Sequence, residues 1–237
     1  MEIIVKNPLE HVTIPRQQNE MINEEKEKDE RNYWKKDEIR KFLAITKEEV
    51  AFRDHVLFHL LIYTGARKGE VLALPWDDID FEAGSIRFNK TLFFHKGKFL
   101  FQTSKTKESK RLISLDDKTL SLLNKWRIRQ NEAYLAGKTV LNDHKVVFDR
   151  DDGSPMRLAY LNEKLAALIK KHGFHKITIH GLWHTHASLL FEAGASIKEV
   201  QERLGHSDIQ MIMNIYTHVT DYLKEQTAEK FQRYIEL

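Results

Sequence analysis

The chain has 237 residues, 41% hydrophobic and 31% charged, enough apolar side chain for one large domain or two small ones and too much for general disorder. It contains no cysteine, which excludes a disulfide framework, a thiolate metal site and cysteine nucleophilic catalysis; no apolar run reaches the roughly 18 residues of a membrane span, and the opening MEIIVKNPLEH lacks the pattern of a secretory signal. The net charge of +3 is unevenly spread: residues 1–34 hold eight acids and five bases, leaving 33 bases against 27 acids, a net of +6, in a body compatible with nucleic acid.

Residues 1–34, with Pro8, Pro15 and a charged run from Glu20 to Arg31, read as a connector. A globular pattern begins at Trp34. Lys36 to Ile45 predicts a short amphipathic helix, and Thr46 with Glu49 predicts a capping box opening the next. That helix carries Phe52, Val56, Leu57, Leu60 and Leu61 and ends at Thr64-Gly65, where glycine suits a left-handed cap. Arg67 follows, then a short helix from Gly69 to Leu74, stopped by Pro75. Ser85 to Phe94, Lys98 to Thr103 and Arg111 to Leu115 predict a three-stranded antiparallel sheet with a basic hairpin. The rest reads as helices over Asp116–Tyr134, Leu158–Lys171, His180–Ala193, Ser196–Leu204, Ser207–Tyr216 and about 220–235, with capping boxes at Ser196/Glu199 and Ser207/Gln210. The expected fold class is mainly α with a small antiparallel sheet.

Four islands stand out: Thr64-Gly65-Ala66-Arg67-Lys68-Gly69-Glu70; Ser104-Lys105-Thr106-Lys107; His180-Gly181-Leu182-Trp183-His184-Thr185-His186; and Leu204-Gly205-His206, followed ten residues later by Tyr216. Alone, each has a bland reading as surface charge, solvated lysine or packed ring. Together and in this order, from about Trp34 to Tyr222, they resemble the catalytic domain of the tyrosine recombinases, in particular phage and conjugative-transposon integrases. The most specific stretch is HGLWHTHASLLFEAGASIKEVQERLGHSDIQMIMNIYTHV.

The resemblance implies a catalytic domain over 35–237, preceded by a linker whose core-binding domain is absent from the chain. It implies site-specific breaking and rejoining of duplex DNA at attachment sites through a 3′-phosphotyrosine, without cofactor or metal, in the cytoplasm of a bacterial cell or phage-infected host. It implies other protomers as partners, through the C-terminal helix, and an excision accessory factor. By position, Arg67 matches the first catalytic arginine, Lys105 the hairpin lysine, His180 the first histidine of the His-x-x-Arg box, His206 the histidine after Leu-Gly, and Tyr216 the nucleophile. Glu70 matches the carboxylate that follows the first arginine and orients it. Trp183 stands where the family has its second arginine. An indole offers one N–H donor and no charge, whereas a guanidinium grips two phosphate oxygens, so the chain is expected to be an impaired recombinase.

The residue types suit the chemistry. Cleaving a phosphodiester without metal needs cations on the non-bridging oxygens, an acid for the leaving oxygen and a placed nucleophile. The same residues allow two rival readings. Ser196 to Tyr216 superficially resembles a helix-turn-helix, which would make the chain a DNA-binding protein that cuts nothing. His180, His184 and His186 could instead hold a hydrolytic zinc, although no H-E-x-x-H glutamate stands between them.

Overall fold

The computed structural model describes residues 31–103, 110–141, 144–205, 210, 212–217, 232 and 235. The described elements are helices α1 (Lys36–Glu49), α2 (Phe52–Thr64) and α3 (Lys68–Leu72), then strands β1 (Ile79–Asp80), β2 (Ser85–Phe88), β3 (Lys90–His95), β4 (Lys98–Thr103) and β5 (Arg111–Ser114), then helices α4 (Asp117–Leu135), α5 (Leu158–His172), α6 (Ile179–Glu192) and α7 (Ile197–Leu204). Residues 212–217 are also helical. The architecture is mainly helical with small antiparallel sheets.

Helix α2 is the central rod. Its residues from Asp54 to Ile62 are buried on every side, and it packs against α1, α4 and α6. The core beside it is aromatic: Phe42 meets Phe58 edge-on at 5.2 Å and Trp34 at 4.8 Å. Trp34 is wholly buried and donates its indole N–H to the His175 carbonyl at 2.8 Å. Asn32 already packs with the body, its Oδ1 accepting the Thr178 N–H at 2.9 Å. A second, smaller apolar cluster gathers Trp183, Ala187, Phe191, Val200, Leu204, Ile212 and Ile215. No described helix is long and apolar enough to cross a membrane.

Several expected elements hold. Gly65 caps α2 at φ 62°, Asp116 caps α4 by accepting the Thr119 N–H, and Ser196 with Glu199 forms the box that opens α7. Two differ. Thr46 does not start a helix: it is buried inside α1, where its hydroxyl donates to the Leu43 carbonyl at 3.1 Å and meets His55 Nδ1 at 2.9 Å. With the hydroxyl satisfied by its own preceding turn, the helix runs on to Glu49. The single three-stranded sheet is also corrected. The run Ser85–Phe94 divides at Asn89, its first half pairing with β1 and β5 (order β1-β2-β5) and its second half with β4 alone. Asp78 marks the division by accepting from Asn89 Nδ2 at 3.3 Å and Lys90 Nζ at 2.9 Å. The connector lies almost entirely outside the described residues, as do the Ser207 cap and most of the helix expected over 220–235.

Candidate active site

Two glycines fix where Arg67 stands. At Gly65, besides its positive φ, an added Cβ would lie 2.6 Å from both His186 Cδ2 and Leu204 Cδ2. At Gly69 it would lie 2.5 Å from Thr91 Oγ1 and 2.9 Å from the Leu92 carbonyl. The chain on either side of Arg67 is therefore pressed against α6 and α7 on one hand and β3 on the other. Arg67 itself is the N-cap of α3. Glu70 reaches back to it twice, accepting its backbone N–H at 2.8 Å and its Nη1 at 3.2 Å.

Glu70 is only 4% exposed. Its second partner is Arg111, the first residue of β5, which donates Nη1 to Oε1 at 3.0 Å and Nη2 to Oε2 at 2.9 Å. Burial pushes the Glu70 carboxyl up, but the bonds and charge of Arg111, and then Arg67, outweigh it and hold the group below its ordinary range. One carboxylate thus serves two guanidinium groups, and the trio keeps a net positive charge. Arg67 keeps 35% of its side chain exposed to solvent, so the surplus faces outward.

Arg67 lines a cleft of about 560 Å³ with Lys68, Asn162, Thr178, His180 and Trp183. His180 and Trp183 sit one helical turn apart on α6 with their rings stacked, centroids 5.2 Å apart and planes 9° apart. Trp183 is 1% exposed and belongs to the second apolar cluster, against which Leu190 and Tyr216 also pack. Tyr216 is half-buried, with its ring edge-on to Phe191 at 5.1 Å. Arg67, His180 and Trp183 therefore meet around one cleft, and Trp183 joins that cleft to the cluster holding Tyr216. Lys105 and His206 lie outside the described residues.

The third histidine of the island faces elsewhere. His186 Nδ1 bonds the Ile62 carbonyl at 2.8 Å and Nε2 accepts from Arg203 Nε at 3.1 Å. Burial, with the nearby Arg203 charge, lowers its pKa to about 4 and keeps the ring neutral. Both ring nitrogens are engaged, so His180, His184 and His186 do not converge as zinc ligands. Among the described residues no group of three or more His, Asp or Glu side chains could hold a metal ion.

The sequence reading did not single out Arg111. The only sequence signal is its alternation with Ile113: these two point inward, whereas Leu112 and Ser114 are exposed.

Residues 32–222 match the model of the phage integrase family. The ICEBs1 integrase of Bacillus subtilis is 28% identical over 97% of this chain and 59% of its own length. A XerC-like tyrosine recombinase of Caldanaerobacter subterraneus is 34% identical over 95% of this chain and 59% of its own. The chain thus spans about three-fifths of the length of these curated relatives. Among solved structures, the Tn1549 transposon integrase in complex with circular intermediate DNA superposes with a TM-score of 0.72 at 23% identity, over 86% of this chain and 68% of that one. The chain belongs to the phage integrase family and has the fold of a tyrosine-recombinase catalytic domain.

Proposed function

We propose that the chain is the strand-cleaving and rejoining part of a site-specific DNA recombinase that integrates and excises a mobile element. The observation that carries this reading is the cleft in which outward-facing Arg67, braced by Glu70, meets His180 and Trp183 beside the cluster that holds Tyr216.

In the proposed reaction the Tyr216 oxygen attacks phosphorus, forming a P–O(Tyr) bond as the bond to the 5′-oxygen breaks. The tyrosine proton passes to His180. The departing 5′-oxygen takes its proton from Lys105, and Arg67 and His206 neutralise charge on the non-bridging oxygens. Because one phosphoester replaces another, a 5′-hydroxyl can reverse the step and rejoin DNA without an added energy source. The parts given to Lys105 and His206 rest on the family resemblance. Trp183 supplies no charge where the family's second arginine stands, so the chain as written cleaves slowly.

The proposed substrate is duplex DNA carrying the element's attachment sites, met in the cytoplasm. The proposed partners are further recombinase protomers, held through the segment after Tyr222, and a factor that directs excision. The test uses the Trp183→Arg chain and a nicked suicide duplex bearing the joined ends of the element that encodes it. The DNA-linked peptide, mapped by mass spectrometry, should carry its nucleotide on Tyr216. A link on Tyr222 or on a serine would overturn the assignment, and no link at all would leave a DNA-binding protein that does not cut.

A further inference from the structure

We propose that Arg111 is the positioning residue of this site, a three-bond strut that holds Arg67 and the end of α7 in one frame. Its side chain is 5% exposed, and its guanidinium lies 5.0 Å from the Phe88 ring centroid. Two of its nitrogens grip the Glu70 carboxylate, as described, and the third, Nε, donates to the Arg203 carbonyl at 2.9 Å. Glu70 is 41 residues away in sequence and Arg203 is 92. A single planar group therefore joins the start of α3, the start of β5 and the last turn of α7.

The strut closes a ring. The Arg203 side chain returns to the end of α2, where Nη2 donates to the Tyr63 carbonyl at 3.1 Å, while its Nε donates to His186 on α6. From Tyr63 the chain runs through Thr64, Gly65 and Ala66 to Arg67, whose N–H and Nη1 end on Glu70. The circuit Tyr63–Arg203–Arg111–Glu70–Arg67 thus encloses Gly65, the residue with no room for a side chain. Arg67 has one carboxylate contact of its own, and that carboxylate is aimed by Arg111. In the other direction, the carbonyl that Arg111 tethers lies three residues before His206 in sequence.

Lysine cannot do this. An ammonium keeps the charge but has neither the fork for two carboxylate oxygens nor a third donor at a fixed angle for a carbonyl. Arg111→Lys therefore removes geometry while sparing the buried Glu70 from isolation.

For its chemistry this inference rests on the recombinase reading, so its test has an arm that does not. Hydrogen exchange of Arg111→Lys, made in the chain as written, should quicken at least about tenfold in both Lys68–Leu72 and Ile197–Leu204, as expected when a local brace is lost. Exchange in α2 and α5 should stay unchanged. Unchanged exchange in either of the first two segments, or a uniform rise throughout, overturns the strut.

The second arm uses Trp183→Arg chains. There Arg111→Lys should slow adduct formation about 10²-fold, the scale of an ångström misplacement, with duplex affinity unchanged. When Arg67→Lys is also present, adding Arg111→Lys should cost clearly less than it does with Arg67 intact, because part of the strut's effect passes through Arg67. Losses that multiply independently of Arg67 would mean a merely structural residue and overturn the proposal. If Trp183→Arg forms no adduct at all, the recombinase reading falls, and hydrogen exchange alone decides the strut.

Discussion

Trp183 lies flat against His180, ring planes 9° apart and centroids separated by 5.2 Å, while the rest of its indole fills the apolar cluster of Ala187, Phe191 and Val200. The residue that, on the proposed function, stands in for a cationic phosphate ligand is thus also a packing residue. Restoring the cation should cost stability. Truncating a buried tryptophan to alanine typically costs about 3–5 kcal/mol. The aliphatic stem of arginine recovers part of that packing, so Trp183→Arg should lose about 1–3 kcal/mol in urea unfolding. Trp183→Ala should lose more and gain no cleavage. Equal stability of Trp183→Arg and the chain as written would show that the indole contributes no packing.

The Glu70–Arg111 pair should behave as a unit. Removing one partner strands the other as a buried charge, which typically costs about 3–5 kcal/mol. Glu70→Gln and Arg111→Met should each destabilise on that scale. The double variant, which removes both charges, should be less destabilised than the two singles added together. Additive losses in urea unfolding would mean that the two groups do not sense one another.

Acid should weaken the fold well before the carboxylates titrate. His59 and His186 each have a pKa lowered to about 4, chiefly by burial, and His55 is lowered in the same direction by burial and nearby lysines. In each case the unfolded chain takes up a proton before the folded one does. Their contribution is present above the unfolded value of about 6.5 and is lost as pH falls toward 4. The slope should approach about 1.4 kcal/mol per pH unit for His59 and for His186. Unfolding free energy measured from pH 7 to pH 4.5 should fall, and less steeply in His186→Gln. A flat profile would contradict neutral burial.

Much of this site can be read from local sequence because local sterics dictate it. Gly65 sits where the backbone must turn left-handed against α6 and α7, and Ser196 and Glu199 complete a cap within one turn. Local pattern misleads where the deciding contact is distant. Thr46 and Glu49 have the spacing of a helix start, but burial against His55 carries α1 through them. The β-rich run Ser85–Phe94 gives no sign that its halves pair with different strands. Arg111 is the clearest case. Apolar Leu112 and Ile113 stand on opposite faces of β5, so hydropathy does not decide the strand's orientation, and Arg111 turns inward with Ile113 to meet Glu70, remote in the chain.

The proposed function assigns Tyr216 as nucleophile and Trp183 as the defect. Both are tested by the yield of covalent protein–DNA adduct on the suicide duplex. Trp183→Arg should form adduct at least about 10²-fold faster than the chain as written, the scale of one lost transition-state donor. Adding Tyr216→Phe should abolish it while leaving the ring packed on Phe191 and duplex binding intact. An adduct that persists in Tyr216→Phe would remove Tyr216 as the nucleophile, and a chain as written that cleaves as fast as Trp183→Arg would remove Trp183 as the defect.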